Sequence, residues 1–130
     1  MNANDLLIAQ RIPFRYGISS GVLGASAASS KTLTLDQATQ FEWHSVEGTS
    51  SADAETNAKE NNFTVLLSQT NGVGFSTLAI PQQCMCPQVG GWKFKLPIIL
   101  PGGFQLSAQF TDLGGAGTHL VELVGFMLRA

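Results

Sequence analysis

Cysteine is nearly absent from this chain of 130 residues: there are two, Cys84 and Cys86, one residue apart. That spacing makes a strained, disfavoured internal disulfide. It is also not the two-residue spacing of a redox or zinc half-site. The fold must therefore be held by its core and not by cross-links. His44 and His119 lie far apart in sequence and form no ligand pattern with the two thiols, so no metal is expected.

Charge is scarce as well. Charged residues are 12% of the chain and the formal net charge is −2, where about 25% charged is usual. This gives no electrostatic footprint for DNA, RNA or an anionic membrane surface. No apolar run approaches the roughly 20 residues of a membrane-spanning helix. Asp5 sits where a secretory leader would be positive, and Leu6 to Ala9 is too short for its apolar stretch, so the expectation is assembly in the cytoplasm. Asn62-Phe63-Thr64 fits a glycosylation sequon and, without a leader, reads as chance.

Catalytic signatures are missing too. There is no G-x-S-x-G and no H-E-x-x-H. Gly114-Gly115-Ala116-Gly117 lacks the lysine of a phosphate loop and reads as a hairpin tip. Asp53, Glu55 and Glu60 lack the spacing and the turn glycine of a calcium loop. Serines and aspartates leave a Ser-His-Asp arrangement open, with His119 as its base. A lone polar histidine at a strand start, however, reads as exposed. No catalytic residue, cofactor or metal is expected.

What is present is alternation. Trp92, Phe94 and Leu96 alternate with Lys93 and Lys95; Phe104, Leu106, Ala108 and Phe110 alternate with Gln105, Ser107, Gln109 and Thr111. Period two marks strands with one buried face. The two lysines facing outward also guard an edge against unwanted pairing. Leu33 and Leu35 share a face in one strand, Phe41 and Trp43 in the next, and Phe63, Val65 and Leu67 in a third. Asn71-Gly72 predicts a type I′ hairpin leading into a strand from Phe75 to Ile80, ended by Pro81. Glu47 to Asn62 has no strand signal, and with fair helix formers but no apolar stripe over Ala52 to Asn61 it reads as a solvated loop or a short surface helix. Seven or eight strands in one domain make an all-β antiparallel sandwich, with the jelly roll as first choice.

Two stretches depart from this pattern. Residues 1–30 begin with an apolar patch around Ile12, Phe14 and Tyr16. A small-residue run, Gly17 to Ser30, follows and buries little surface. The reading is an extended N-terminal arm over 1–30, with Ile12, Phe14 and Tyr16 as interface anchors, and a β-sandwich domain over 31–130. An edge strand with a loop is the rival reading. The last strand is apolar on both faces: Val121, Leu123 and Met127 on one, Leu120, Val124, Phe126 and Leu128 on the other. A half-exposed antiparallel strand should not be. A bulge near Gly125, a central position in the sheet, or an interface through Leu120, Val124, Phe126 and Leu128 would each account for it.

Leu96-Pro97-Ile98-Ile99-Leu100-Pro101-Gly102-Gly103, the strand from Phe104 to Leu113, and the ending Leu120 to Arg129 together resemble the jelly-roll cement or decoration proteins of tailed-bacteriophage capsids. The resemblance covers roughly the last seventy residues as a pattern, and the loop of Cys84 and Cys86 has no counterpart in it. It implies a non-enzymatic virion component on the capsid exterior. Its partners would be the major capsid protein and copies of itself, as dimers or trimers, with no nucleic acid and no membrane. A neck or tail-fibre-base adaptor and a carbohydrate-binding β-sandwich, with Trp43, Trp92 or Tyr16 as stacking platform, are the alternatives.

Overall fold

The alternation over Gln105–Asp112 sets the interior. Leu106, Ala108 and Phe110 are completely buried, while Gln105 and Gln109 on the opposite face are exposed. Around this strand the computed structural model, described here for residues 10–53, 62–70, 78–85 and 90–129, builds two antiparallel sheets. The strands are β1 (Gln10–Leu23), β2 (Ala28–Thr34), β3 (Gln40–Ser50), β4 (Phe63–Gln69), β5 (Ile80–Pro81), β6 (Trp92–Leu100), β7 (Gln105–Asp112) and β8 (Gly117–Arg129).

One sheet has the order β1-β8-β3-β6 and the other β2-β7-β4-β5. Every connection except β4–β5 crosses from one sheet to the other. This is the wrapping of an eight-stranded jelly roll. The core lies between the sheets, with Phe41, Trp43 and Leu123 facing Phe63, Leu67 and Phe110.

The N-terminal stretch corrects the expectation of an arm over 1–30. β1 pairs with β8 from Gln10 to Leu23, and β2 pairs with β7 from Ala28 to Thr34. Residues 10–30 thus supply an edge strand to each sheet, and the expected domain boundary at residue 30 falls inside β2. The part of the proposed arm before Gln10 lies outside the described residues. Serine, alanine and glycine have low strand propensity. What settles them here is the ladder offered by β7 and β8, a tertiary effect that overrides intrinsic preference.

Other expectations need adjusting. Of the strand expected from Phe75 to Ile80, residues 75–77 lie outside the described residues. The observed strand is Ile80–Pro81 and includes the proline expected to end it. Gln82–Met85 then form a 3-10 turn that carries Cys84, and Cys86 is outside the described residues. The loop read from Glu47 begins later, because β3 runs on to Ser50. Leu96, expected inward, is 79% exposed. The reason is the register. β6 pairs with β3 at Trp92 and Lys93, and again from Ile98 to Leu100, but spends more residues than β3 between the two patches. It arches off the sheet there, and Leu96 rides on the arch.

β8 is the central strand of its sheet, flanked by β1 and β3. Its alternation does not flip. The irregularity sits opposite it, in β3, where the register slips between Trp43 and Ser45. Gly125 faces Trp43 at that point. A Cβ on Gly125 would run into the carbonyl oxygen of Glu42 and crowd the Phe41 ring at 3.1 Å. The close approach of the two backbones therefore requires glycine. Gly125→Ala is expected to cost about 1–3 kcal/mol in urea unfolding, the range of overpacking. A cost below about 0.5 kcal/mol, the scatter of a neutral surface change, would show that the bulge does not depend on this glycine.

Candidate functional site

Two polar constellations stand out. The first closes one end of the sandwich. Asp112, the last residue of β7, is fully buried together with His119 of β8. Its Oδ1 accepts the backbone N–H groups of Ser26 (3.0 Å), Gly114 (2.7 Å) and Ala116 (3.2 Å). Its Oδ2 accepts His119 Nε2–H at 2.7 Å. His119 Nδ1 meets Ser50 Oγ at 2.8 Å, and Ser50 Oγ accepts the Ala52 N–H at 3.1 Å. An Nε2–H tautomer gives each group a partner: Ala52 donates to Ser50, Ser50 to His119, and His119 to Asp112. Phe63 stacks on the imidazole at 4.7 Å between centroids.

A neighbouring cluster continues the fastening. Asp53 accepts the Ser50 N–H, the Asn62 side-chain amide and the amide of Gln82, which also receives the Asn62 N–H on its own oxygen. Asn62 and Gln82 are buried. The loops β1–β2, β3–β4, β5–β6 and β7–β8 are thus all tied into one hydrogen-bonded end. Ser26 and Ala116, both held by Asp112, have φ of 61° and 56°. That left-handed region costs a non-glycine residue about 1–2 kcal/mol, and the carboxylate offsets it at both positions.

The sequence reading placed His119 at the surface and the ends of the 47–62 stretch in solvent. Both are corrected: His119, Ala52 and Asn62 are buried, while 54–61 lie outside the described residues. The missed signal was the spacing Asp112 to His119 across a glycine-rich connection, which carries the chain from β7 in one sheet to β8 in the other and sets the two side chains facing each other at the end of the sandwich.

Ser50, His119 and Asp112 are the residue types of a hydrolytic triad, with the imidazole turned round. In such triads Nε2 faces the serine and Nδ1 the carboxylate; here each nitrogen takes the other partner. The imidazole and carboxylate are sealed, and Ser50 lines neither cavity found among the described residues. The Ala52 N–H, a potential oxyanion donor, is spent on the serine oxygen itself. This arrangement fastens loops.

The second constellation covers the outer face of the β1-β8-β3-β6 sheet. Leu120, Val124 and Phe126 of β8 alternate with the buried His119, Val121, Leu123 and Gly125 and lie partly exposed on the outer face, whereas Leu128, in the same phase, is buried. The first three are brought together there, but not bare. Arg11 lies over the Phe126 ring, its guanidinium carbon 4.1 Å from the centroid, and bonds Glu42 at 2.6 Å. His44, on the β3 bulge, meets Glu42 at 2.5 Å and Phe126 edge-on at 5.4 Å. Burial pushes the Glu42 carboxyl up, but the hydrogen bonds and charges of Arg11 and His44 outweigh it and hold the group below its usual range. Glu47 and Glu122 face each other across the β3–β8 ladder, with Arg15 bonding both, at 3.1 and 2.8 Å. Leu128 is buried, yet lies outside the core cluster.

Between these charge clusters the face keeps an open groove of about 570 Å³, lined by Pro13, Phe14, Arg15, His44, Val124, Gly125 and Phe126. Ile12, Phe14 and Tyr16, read as anchors on an arm, sit on the inward side of β1. The Phe14 and Tyr16 rings meet at 4.8 Å, Tyr16 meets Phe41 at 5.0 Å, and Tyr16 Oη accepts the Asp36 N–H. Phe14 and Tyr16 pack against the core, and Ile12 is half-buried beside them.

Comparison of the chain with protein-family models, with curated proteins and with solved structures gave no match.

Burial alone would raise the Asp112 carboxyl, but the bonds from Gly114, Ser26, His119 and Ala116 outweigh it and hold the group below the usual carboxylate range. With the native value below the unfolded one, the stabilisation is full above the ordinary carboxyl range near pH 4. It is lost as pH falls through the lowered native value. Asp112→Asn is expected to destabilise by about 1.5–3 kcal/mol at pH 7, the worth of hydrogen bonds to a charged group, and to flatten the acid limb of stability. Urea midpoints from pH 7 to pH 2 measure both. An unchanged midpoint and acid limb in the variant would refute the role given to this carboxylate.

Proposed function

We propose that this chain is a structural protein of a virus particle, a cement or decoration protein that binds the assembled capsid exterior and bridges major capsid subunits. It makes no covalent chemistry. The observation that carries the reading is the outer face of β8, an open apolar groove on Val124 and Phe126 rimmed by Arg11–Glu42–His44 and Arg15–Glu47–Glu122. An apolar centre with a polar rim containing arginine is the anatomy of a protein–protein interface. A well-ordered jelly roll supplies a rigid platform for it. A small patch suffices, because copies bridging neighbouring subunits gain from effective concentration. A protein that binds only the assembled shell stabilises that shell by mass action.

The resemblance of the last seventy residues to phage cement proteins points the same way. The tryptophans favour it over a sugar-binding module, since Trp43 is buried and Trp92 faces a cavity between the sheets. Neither offers an outward ring to a pyranose.

The test is co-expression with the major capsid gene of the same genome, followed by gradient sedimentation of assembled shells. Wild-type chain is expected to co-sediment with shells. Val124→Glu, a charge in the centre of the groove, is expected to reduce the bound fraction at least tenfold while leaving the thermal midpoint within about 2 °C. Recovery with tails or necks alone would assign the chain to an adaptor and overturn the shell reading. Full binding by the Val124→Glu variant would remove the groove from the interface.

A further inference from the structure

The two sheets are unequal on the side away from β1. β5 has two residues, so among the described residues β4 is paired on that edge only at Thr64 and Val65. Opposite it, β6 arches away from β3. Between them lies a cavity of about 130 Å³, lined by Trp43, Val46, Leu67, Ile80, Trp92, Phe94 and Ile98.

We infer that this cavity is a binding site for one small, neutral aromatic molecule of about benzene size. Five observations carry the inference. The lining is mostly hydrocarbon and aromatic ring, with no carboxylate, amine or guanidinium among the described lining residues, so a charged ligand would find no partner. The Trp43 ring N–H is already donated to the Ser45 carbonyl at 2.9 Å. The volume fits: an apolar cavity of about 150 Å³ stays dry and takes up benzene or xenon. The walls are braced against collapse, because Phe94 meets Trp43 at 4.9 Å and 87°, and Trp92 at 5.8 Å and 74°, both edge-to-face. Finally, Trp92, Phe94 and Ile98 are half-buried while Val46 and Leu67 are fully buried, which gives the space a mouth at β6 and a floor on both sheets. A preformed, braced pocket loses little freedom on binding, which favours a ligand of few atoms. This inference concerns the interior edge of the sandwich and stands apart from the outer-face reading.

The chain's two tryptophans, Trp43 and Trp92, both line the cavity, so their fluorescence reports on it directly. The experiment titrates the full chain with benzene, and in parallel with benzoate as the charged counterpart. Benzene is expected to change the emission saturably and to raise the thermal midpoint by about 2–4 °C near saturation; benzoate is expected to do neither. Ile98→Phe, which fills the mouth, is expected to weaken benzene binding at least tenfold. Nuclear Overhauser contacts from bound benzene to Trp43, Trp92 and Phe94 test the site in the unaltered chain, whatever the fate of that variant. Absence of any saturable benzene response, equal binding of benzoate, or contacts confined to other residues would each overturn the inference.

Discussion

One carboxylate organises an entire end of this molecule. Asp112 receives three backbone N–H groups and an imidazole with no water-exposed surface of its own. In a jelly roll the strands are contributed by distant parts of the chain, and the loops at each end must be brought into one cap. Here that is achieved electrostatically. The carboxylate fixes the β1–β2 and β7–β8 turns, His119 passes the link to Ser50 at the end of β3, and Asp53 extends it to Asn62 and Gln82. Low local dielectric makes such a network strong when every member is satisfied and costly when one is missing. A chain without cross-links gains from it the fixed loop geometry that a disulfide would otherwise provide.

Placement of charge follows from scarcity. With 12% charged residues, the chain spends many of them in two places. Asp112 and Asp53 secure the end of the sandwich. Arg11, Arg15, Glu42, Glu47 and Glu122 lie on the outer face of one sheet, beside the apolar residues of its central strand. The two glutamates facing each other on β3 and β8 would repel, and Arg15 bridges them. This resolves the two-sided apolarity of β8. The inner face is core, and the outer face is partly sheltered by arginine, glutamate and histidine side chains that leave Val124 and Phe126 reachable from the groove.

The strands with strong alternation were legible in the residues. Leu106, Ala108 and Phe110, Phe63, Val65 and Leu67, and Phe41 with Trp43 all face the core as period two requires. The long strand β1 was legible only as the rival edge-strand reading of residues 1–30, because Gly17 to Ser30 carries no pattern of its own. Its partner β8 imposes extension on it, and a bulge at Ser19–Val22 lets it turn the corner. Ile12, Phe14 and Tyr16 were recognised as apolar contacts, but their partners lie within the chain. Leu96 follows the alternation and escapes burial because β6 arches. His119 was misplaced for a different reason. Burial of a polar side chain is set by its partner, and that partner, Asp112, becomes visible only when the two sheets are packed face to face. Of the outward set on β8, Leu120, Val124 and Phe126 followed from alternation with the inner face, while Leu128 at the strand's end is buried.

On the proposed reading, the outer face of β8 is covered when the chain sits on an assembled shell. Carbene footprinting reads side-chain coverage directly, on the chain alone and on shells carrying it. Labelling of Phe126, Val124 and Pro13 is expected to fall severalfold in the bound chain, while exposed Leu113 on the β7–β8 loop keeps its reactivity. Equal labelling of Phe126, Val124 and Pro13 in the free and bound chain would contradict the account.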